Sequence, residues 1–285
     1  MREIIDYVIA YVDSNDSVWK QTYLDYCISH NKRIKIVEMN TIRFVDNLCL
    51  LPYQLKLIRK NMPWINNIFL LLSNIEQKPK DLPSDIKVIL HKEFIPYKYL
   101  PTFNSTTIEM FLWNIPNLSE KFIYANDDML PIRELKETDF FNGDKVVIDF
   151  LDLNINQENT EYRYQCLNSY NNVLNKLGIK YDNENFIAPV HSFTPMIKSH
   201  CKETYDLIEK EITHNISAFR NYFNHNQYIF PIYEHYKYGT LPTKIDFLYT
   251  QLKEDIDMEH DIICFNIIPR NKVETLKGEL EKVCE

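Results

Sequence analysis

Glycine is scarce in this sequence, which has only 4 glycines among 285 residues. The glycine-built phosphate loops GxGxxG and GxxxxGKS/T are both absent, so a nucleotide would have to be bound by another kind of site. Lysine and arginine form no dense run, and the formal net charge is −8. Because duplex nucleic acid is held through many phosphate contacts, this charge argues against nucleic acid as a partner. It also disfavours attraction to anionic lipid.

Paired cysteines and long apolar runs are missing as well. The 6 cysteines form no CxxC pair and lack zinc-ligand spacing, so we expect reduced thiols in a cytoplasmic protein, which could also be peripheral at the inner face of the membrane. No apolar segment reaches the roughly 18 residues that span a bilayer. The apolar run at 4–12 lacks a basic region and a cleavage site, and it predicts a first β-strand instead of a signal peptide.

Short strand patterns alternate with helical ones along the chain. β-Branched and aromatic residues predict strands at 4–12, 68–72, 87–90, 122–125, 146–151 and 262–267. Apolar residues at helical spacing predict helices that end before Pro63 and before Pro116. This alternation predicts an α/β fold, Rossmann-like or GT-A-like, with a mainly parallel sheet and flanking helices. Ligands of such folds bind beyond the carboxyl ends of the strands.

The segment 152–185 is polar and rich in asparagine, and it interrupts the alternation. One apolar helical face within it ends at Gly178, so we predict a helical insertion or lid. Helical patterns continue from 198 to about Gly239 and return at 273–283, which predicts a helical C-terminal half. Since no repeat or linker is evident, a single domain over 1–285 is the simplest organisation.

Two adjacent carboxylates, Asp127 and Asp128, follow the predicted strand at 122–125. A solvated turn is the ordinary explanation of such a pair. A metal site is the alternative, because a hard cation such as Mg²⁺ is bound by carboxylate oxygens and bridges them to substrate phosphates. The pattern alone favours the turn, and the position at a strand end, where α/β proteins bind ligands, strengthens the case for the metal site.

The other candidate residues have good structural explanations. Asp16, which follows the first strand together with Asp13, fits the N-cap of a helix that begins near residue 18. Glu109 fits a capping box that opens at Thr106. Arg43 and Asp46 could form a local ion pair, which contributes little if exposed. His191 could be a hydrogen-bonded structural histidine, and Arg220 could lie on the polar face of a helix.

Four segments, taken in chain order, resemble the conserved regions of the Stealth family. They are IDYVIAYVDSNDSVW (5–19); RFVDN (43–47) with MPWINNIFLLLSN (62–74) and LPTFNSTTIEMFLWNIPNLSEKFIYANDD (100–128); VHSFTPMIKS (190–199); and AFRNYFNHNQYIFPIYEHY (218–236). This family of sugar-1-phosphate transferases includes bacterial capsule polysaccharide phosphotransferases and the animal N-acetylglucosamine-1-phosphotransferase that tags lysosomal enzymes. The second segment is the most specific.

The resemblance implies a phosphotransferase of capsule or cell-surface polysaccharide synthesis with a single catalytic domain. It would move a sugar 1-phosphate from a nucleotide-sugar such as UDP-GlcNAc to a hydroxyl of an acceptor glycan and release UMP. By motif matching, the catalytic residues are Glu109, Asp128, His191 and Arg220. The matching substrate-binding residues are Tyr11, Val12, Asp13, Asp16, Arg43, Asp46, Asn47, Asn104 and Asn126. Asp127 and Asp128 would hold Mg²⁺ or Mn²⁺. We favour His191 as the base, with Glu109 orienting it, although either residue could take the proton.

Two other functions stay open. A metal-dependent glycosyltransferase would share the donor and the metal but would release UDP in place of UMP. A carbohydrate-binding or scaffold protein without turnover is the third hypothesis, suggested by 19 tyrosines and 16 phenylalanines.

Overall fold

The computed structural model describes residues 3–13, 15–34, 50–252 and 256–285. Arg43, Asp46 and Asn47, which are predicted to bind the donor, lie outside the described residues. Internal contacts divide the chain into two compact units. The first unit consists of Met1–Asp6, His91–Tyr124 and Thr138–Thr243, and the second of Tyr7–Leu90, Ala125–Glu137 and Lys244–Glu285. The single catalytic domain stays a prediction.

The helices and strands are numbered here in chain order. They are β1 (Ile5–Ala10), α1 (Ser17–Ser29), α2 (Leu50–Asn61), β2 (Ile68–Leu72), β3 (Ile86–Leu90), α3 (Ser105–Glu109), β4 (Lys121–Asn126), β5 (Met129–Pro131), β6 (Phe141–Asn142), β7 (Lys145–Val146), β8 (Phe150–Asn154), α4 (Glu161–Leu177), β9 (Asn185–Pro189), β10 (Thr194–Ile197), α5 (Lys198–Asn215), α6 (Ile229–Lys237), β11 (Phe247–Thr250), β12 (Ile262–Phe265) and α7 (Val273–Cys284). Short 3₁₀ turns include Leu112–Asn114.

The second unit contains the parallel strands. β1 pairs with β2, with Tyr7 opposite Ile68, and β2 pairs with β3, with Ile68 opposite Ile86. Every residue of β2 is apolar and buried, as is typical of a parallel strand covered on both faces. A second sheet, in the order β11–β12–β5, combines a parallel and an antiparallel pair.

Helices α2 and α7 supply the apolar face that covers the second sheet. Leu57 of α2 and Leu276 and Leu280 of α7 share one buried cluster with Leu130 and Phe265. The predicted helix before Pro63 and the predicted C-terminal helix are therefore both confirmed. Their apolar residues recur at helical spacing, so one stripe of each helix is removed from water.

The first unit is built from antiparallel strand pairs and three packed helices. β10 pairs with the first-unit residues of β4, with Thr194 opposite Tyr124, and β8 pairs with β9, with Phe150 opposite Pro189. Helices α4, α5 and α6 pack against one another. Aromatic contacts fill the core, such as Phe111 with Tyr205 at 5.6 Å between ring centroids. The parallel strands, with flanking helices and added antiparallel pairs, confirm the α/β class.

The polar segment 152–185 contains α4, and its predicted end is confirmed. Gly178 follows the helix in the left-handed conformation, at φ 69°, and its N–H donates to the carbonyl of Asn175. A residue without a Cβ takes up this conformation at little cost. α4 buries seven of its residues, including Cys166 and Tyr170, so one of its faces belongs to the packed interior of the first unit.

Two predicted elements are wrong in extent. The helix expected up to Pro116 ends at Glu109, because Phe111 leaves helical torsion angles (φ −117°, ψ 12°) and a 3₁₀ turn follows. The strand expected at 146–151 is split between β7 and β8. The N–H of Val147 bonds to the carbonyl of Phe140 and that of Ile148 to Leu241, so the chain changes its pairing partner between the two strands.

A third correction concerns the stretch between α5 and α6, which was expected to be helical. Residues 216–228 form no regular helix. Asparagine side chains replace the helical hydrogen bonds there: the Asn221 side chain accepts from the N–H of Phe223, and the Asn224 side chain accepts from the N–H of Asn221. Short amide side chains compete with helical bonding in this way.

None of the helices in the described part of the chain is both long enough and apolar enough to cross a bilayer.

Candidate active site

Glu109 is a buried carboxylate at the end of α3, with 4% of its surface exposed. Its Oε2 accepts a hydrogen bond of 2.9 Å from the backbone N–H of Gln227. Burial raises the pKa of Glu109, while the positive charge of Arg220 and hydrogen bonds from Gln227 and Ser105 oppose that rise. The capping box proposed for Glu109 is wrong, because the N-cap of α3 is Asn104 and Glu109 bonds to a distant segment.

Arg220 lies on the irregular segment 216–228, beside the start of α3. Its Nη2 donates to the hydroxyl of Ser105, and its charge acts on Glu109. The guanidinium itself is exposed. A fixed, exposed guanidinium suits an anionic group, because its planar donors match carboxylate and phosphate geometry.

Buried amides hold this segment in place. Asn224 is 2% exposed, and its Oδ1 accepts from Asn104 Nδ2 at 3.0 Å and from the Asn221 N–H at 2.9 Å. Its Nδ2 donates to the Asn215 carbonyl at 2.6 Å and to the Ser217 hydroxyl at 3.0 Å. All four positions of the amide are thus occupied, which orders the residues on either side of Arg220.

Asn104, which was predicted to bind substrate, belongs to the same buried network. It is 1% exposed, its Nδ2 also donates to the carbonyl of Ser217, and its Oδ1 accepts from the N–H and hydroxyl of Thr106. This geometry favours a role in positioning α3 and the Arg220 segment. Direct contact of Asn104 with substrate stays a prediction.

His191 lies between β9 and β10 and contacts the start of α6. Its Nδ1 is 2.8 Å from the hydroxyl of Tyr228, and the Tyr162 ring meets the imidazole edge-on at 5.8 Å between centroids. The Tyr162 hydroxyl donates to the Tyr228 oxygen at 3.3 Å. The imidazole is half-buried, so it combines a fixed orientation with some access to solvent.

The first unit therefore brings together three of the four residues predicted to be catalytic. Glu109 and His191 are bonded to Gln227 and Tyr228, which are neighbours in the chain. Arg220, at the start of the same segment, acts on Glu109 through its charge. The unit thus collects an acid, an imidazole and a cation around one segment, 220–228, and these are the groups that proton transfer and anion binding require.

The second unit holds the acidic loop between β4 and β5. Asp128 is 8% exposed, and Asp127 and Asn126 are half-buried. The buried side chain of Gln54 on α2 donates to the carbonyls of Asn126 and Met129, at 2.8 Å each. These two bonds fix the backbone on both sides of the carboxylates. Asp128 is also held by its own carbonyl, which accepts from the N–H of Phe265 at 2.8 Å.

The donor atoms of this loop suit a hard divalent cation. Among the described residues, no group of three or more His, Cys, Asp or Glu side chains is arranged to hold a metal. Mg²⁺, however, is commonly bound through one or two carboxylates, with water and substrate phosphates completing its shell. Asp127 and Asp128 supply that number of carboxylates on a fixed backbone, so the residues present fit the ion.

The loop after β1 is ordered by its own aspartates. Asp16 is the N-cap of α1, since its Oδ1 accepts from the Trp19 N–H at 2.6 Å, and this confirms the predicted cap. Asp13 Oδ1 accepts from the Asn15 N–H at 2.7 Å, and the Asp13 carbonyl accepts from Gln77 at 3.1 Å. Tyr11 is buried and Val12 half-buried. Contacts of these four residues with a donor stay predictions.

Two residues that support the candidate site were missed in the sequence. Gln54 lies at helical spacing from Leu51 and Ile58, within an otherwise apolar stripe, and a polar residue at such a position signals a buried hydrogen-bonding role. Tyr228 carries no comparable signal, because its partner His191 lies 37 positions away.

These features define the class as an α/β protein whose first unit gathers a buried carboxylate, a half-buried histidine and an exposed arginine around segment 220–228. A family model described as Stealth protein CR2, conserved region 2, matches residues 43–148. Over 254 residues the chain is 34% identical to the capsular polysaccharide phosphotransferase cps1A of Actinobacillus pleuropneumoniae, which covers 86% of this chain and 69% of that protein.

Two further relatives carry the same name. A capsular polysaccharide phosphotransferase of Actinobacillus suis is 36% identical over 73% of this chain and 57% of its own length. LcbA of Neisseria meningitidis is 33% identical over the same shares of the two chains. This chain belongs to the Stealth family. It spans between 57 and 69% of the length of these three relatives.

Proposed function

We propose that this chain is a phosphotransferase of capsule or cell-surface polysaccharide synthesis. It moves a hexose or N-acetylhexosamine 1-phosphate from a UDP-sugar resembling UDP-GlcNAc to a hydroxyl of an acceptor glycan, and it releases UMP. The relatives' names support the phosphotransferase class. The observation that carries the proposal is the convergence of Glu109, His191 and Arg220 on segment 220–228.

The reaction breaks one bond to phosphorus and forms another. The acceptor oxygen attacks the phosphorus attached to the sugar, its proton passes to Glu109 or His191, and the phosphoanhydride bond to UMP breaks. Negative charge on the transferred phosphoryl group is met by Arg220, whose guanidinium matches phosphate geometry. Positioned proton transfer contributes about 10²–10⁴-fold to such a rate.

Asp127 and Asp128 would hold the Mg²⁺ or Mn²⁺ that neutralises charge on a diphosphate donor. Gln54 serves this role indirectly, because its two hydrogen bonds fix the backbone that carries both carboxylates. An acidic chain with net charge −8 needs local positive charge to retain an anionic donor.

The identity of the released nucleotide tests the proposal. The chain is incubated with Mg²⁺, acceptor glycans and a panel of nucleotide-sugars, and the nucleotide product is identified. UMP is expected. UDP would instead indicate the metal-dependent glycosyltransferase. Failure of every nucleotide-sugar to shift the melting temperature in the presence of Mg²⁺ would favour the carbohydrate-binding or scaffold protein.

An Asp128→Asn variant tests the metal within the same assay. It should lose the Mg²⁺-dependent melting shift and most UMP release. Asp81→Asn is the matched control, because Asp81 is exposed on the same unit and its loss should change neither. Equal Mg²⁺ responses of Asp128→Asn and the parent chain would count against the metal site.

A further inference from the structure

A chain of two tyrosines, the half-buried Tyr162 and the fully buried Tyr228, ends on His191. Tyr228 is fully buried, and its hydroxyl lies 2.8 Å from His191 Nδ1. On its other side the hydroxyl of Tyr162 approaches at 3.3 Å as the donor. Tyr162 and the imidazole also touch edge-on at 5.8 Å. The rings of Tyr162, Tyr228 and His191 thus form one compact group, in which Tyr162 is the donor to Tyr228.

The direction of the hydrogen bond between Tyr228 and His191 follows from the single hydroxyl proton of Tyr228. A phenol has a single hydrogen to donate, and a buried donor that remains unused is costly. Within the described residues the hydroxyl of Tyr228 has two partners, and Tyr162 is the donor in one of these contacts. The Tyr228 hydrogen is therefore directed to His191 Nδ1. That nitrogen is then an acceptor, so the neutral imidazole carries its proton on Nε2.

We propose that Tyr228, oriented by Tyr162, is a positioning residue that holds neutral His191 as the Nε2–H tautomer. A ring held in this way donates a hydrogen bond through Nε2 and does not accept a proton there. It follows, resting on the proposed function, that Glu109 takes the acceptor's proton while His191 stabilises a phosphoryl oxygen by donating from Nε2. This assignment differs from the initial hypothesis, in which His191 is the base and Glu109 orients it.

The environments of the groups support this division of roles. Burial raises the pKa of both Tyr162 and Tyr228, so the two phenols keep their protons through the neutral range. Burial also raises the pKa of Glu109, which brings that carboxylate nearer to the range of an effective general base. The proton of the acceptor hydroxyl passes to the Glu109 carboxylate, and His191 keeps its own proton throughout.

The test is the ¹⁵N spectrum of the histidine side chains. The full chain has 8 histidines, and the signals of His191 are identified by their loss in His191→Gln. Near pH 8.5, about two units above the ordinary histidine pKa, the parent chain should show Nε2 protonated and Nδ1 unprotonated. Tyr228→Phe should give a mixture of tautomers, and Tyr162→Phe should give a smaller shift in the same direction.

Tyr233→Phe is the matched control, because Tyr233 is also buried on α6 but bonds to Glu203. It should leave the His191 signals unchanged. A proton on Nδ1 in the parent chain would overturn the proposal, and this result needs no variant to fold. An unchanged tautomer in folded Tyr228→Phe would overturn the positioning role.

Turnover separates this inference from the proposed function. Gln places an N–H near the position of Nε2 but cannot act as a base, so His191→Gln should retain at least tenfold more activity than His191→Ala. Equal loss in both variants would contradict the donor role of His191. Absence of UMP release from the parent chain would contradict the proposed function while leaving the tautomer result standing.

Discussion

Replacement of Glu109 by Gln removes a buried charge and keeps the size of the side chain. The amide oxygen can still accept the 2.9 Å hydrogen bond from the Gln227 N–H. The variant loses the capacity to take a proton and the attraction to Arg220. Since a positioned base contributes about 10²–10⁴-fold, kcat should fall by that factor, with a much smaller change in KM.

The effect of the same variant on stability also has an expected sign. Burial raises the pKa of Glu109 above its ordinary value of 4.5, so the folded state binds this proton more tightly than the unfolded state does. The parent chain therefore loses stability as pH rises from 4.5 through the folded pKa. The loss is about 1.4 kcal/mol for each unit by which the pKa is raised. The glutamine side chain does not ionise, so Glu109→Gln has no such loss of stability with rising pH.

The assay combines UMP release with urea unfolding at pH 4 and pH 8. Glu109→Gln should match the parent chain at pH 4 and equal or exceed its stability at pH 8. Glu209→Gln, an exposed change in the same unit, should alter neither activity nor stability. Full activity of Glu109→Gln would refute the catalytic role. If Glu109→Gln were less stable than the parent chain at pH 8 but not at pH 4, the conclusion that burial raises the pKa of Glu109 would be refuted.

Three further predictions follow from other parts of the chain. Asn224→Ala removes four hydrogen bonds of a buried amide side chain and should cost about 2–5 kcal/mol in urea unfolding while lowering kcat. A cost below about 1 kcal/mol would mean that the Arg220 segment is ordered by other contacts. Asp16→Ala removes the cap of α1 and should cost about 0.5–2 kcal/mol, which thermal unfolding measures against the exposed control Asp25→Ala. Burial raises the pKa of Cys166 to about 12, so iodoacetamide at pH 8 should label it far more slowly in the folded chain than in urea. Equal rates would contradict its burial.

Local patterns in the sequence determined much of the fold. The apolar spacing of Leu51, Leu55 and Ile58 predicted α2, the five apolar residues at 68–72 predicted β2, and Gly178 predicted the end of α4. Each of these features depends on neighbours within a few positions, where side-chain period and torsion preference act directly. The Asp16 cap is equally local, because donor and acceptor are three residues apart.

Only the tertiary structure decided how the candidate site is built. Glu109 bonds to a backbone N–H 118 positions away, and His191 to a hydroxyl 37 positions away. Hydrogen bonds between such distant segments leave no period in the sequence, and a capping box explained Glu109 equally well until its partner was known. The irregular form of 216–228 has the same origin. Its asparagine side chains bond to nearby backbone groups, but its carbonyls at Asn221 and Tyr222 accept from Gln165 and Asn168 of α4, more than 50 positions away, and these contacts form only when the chain packs.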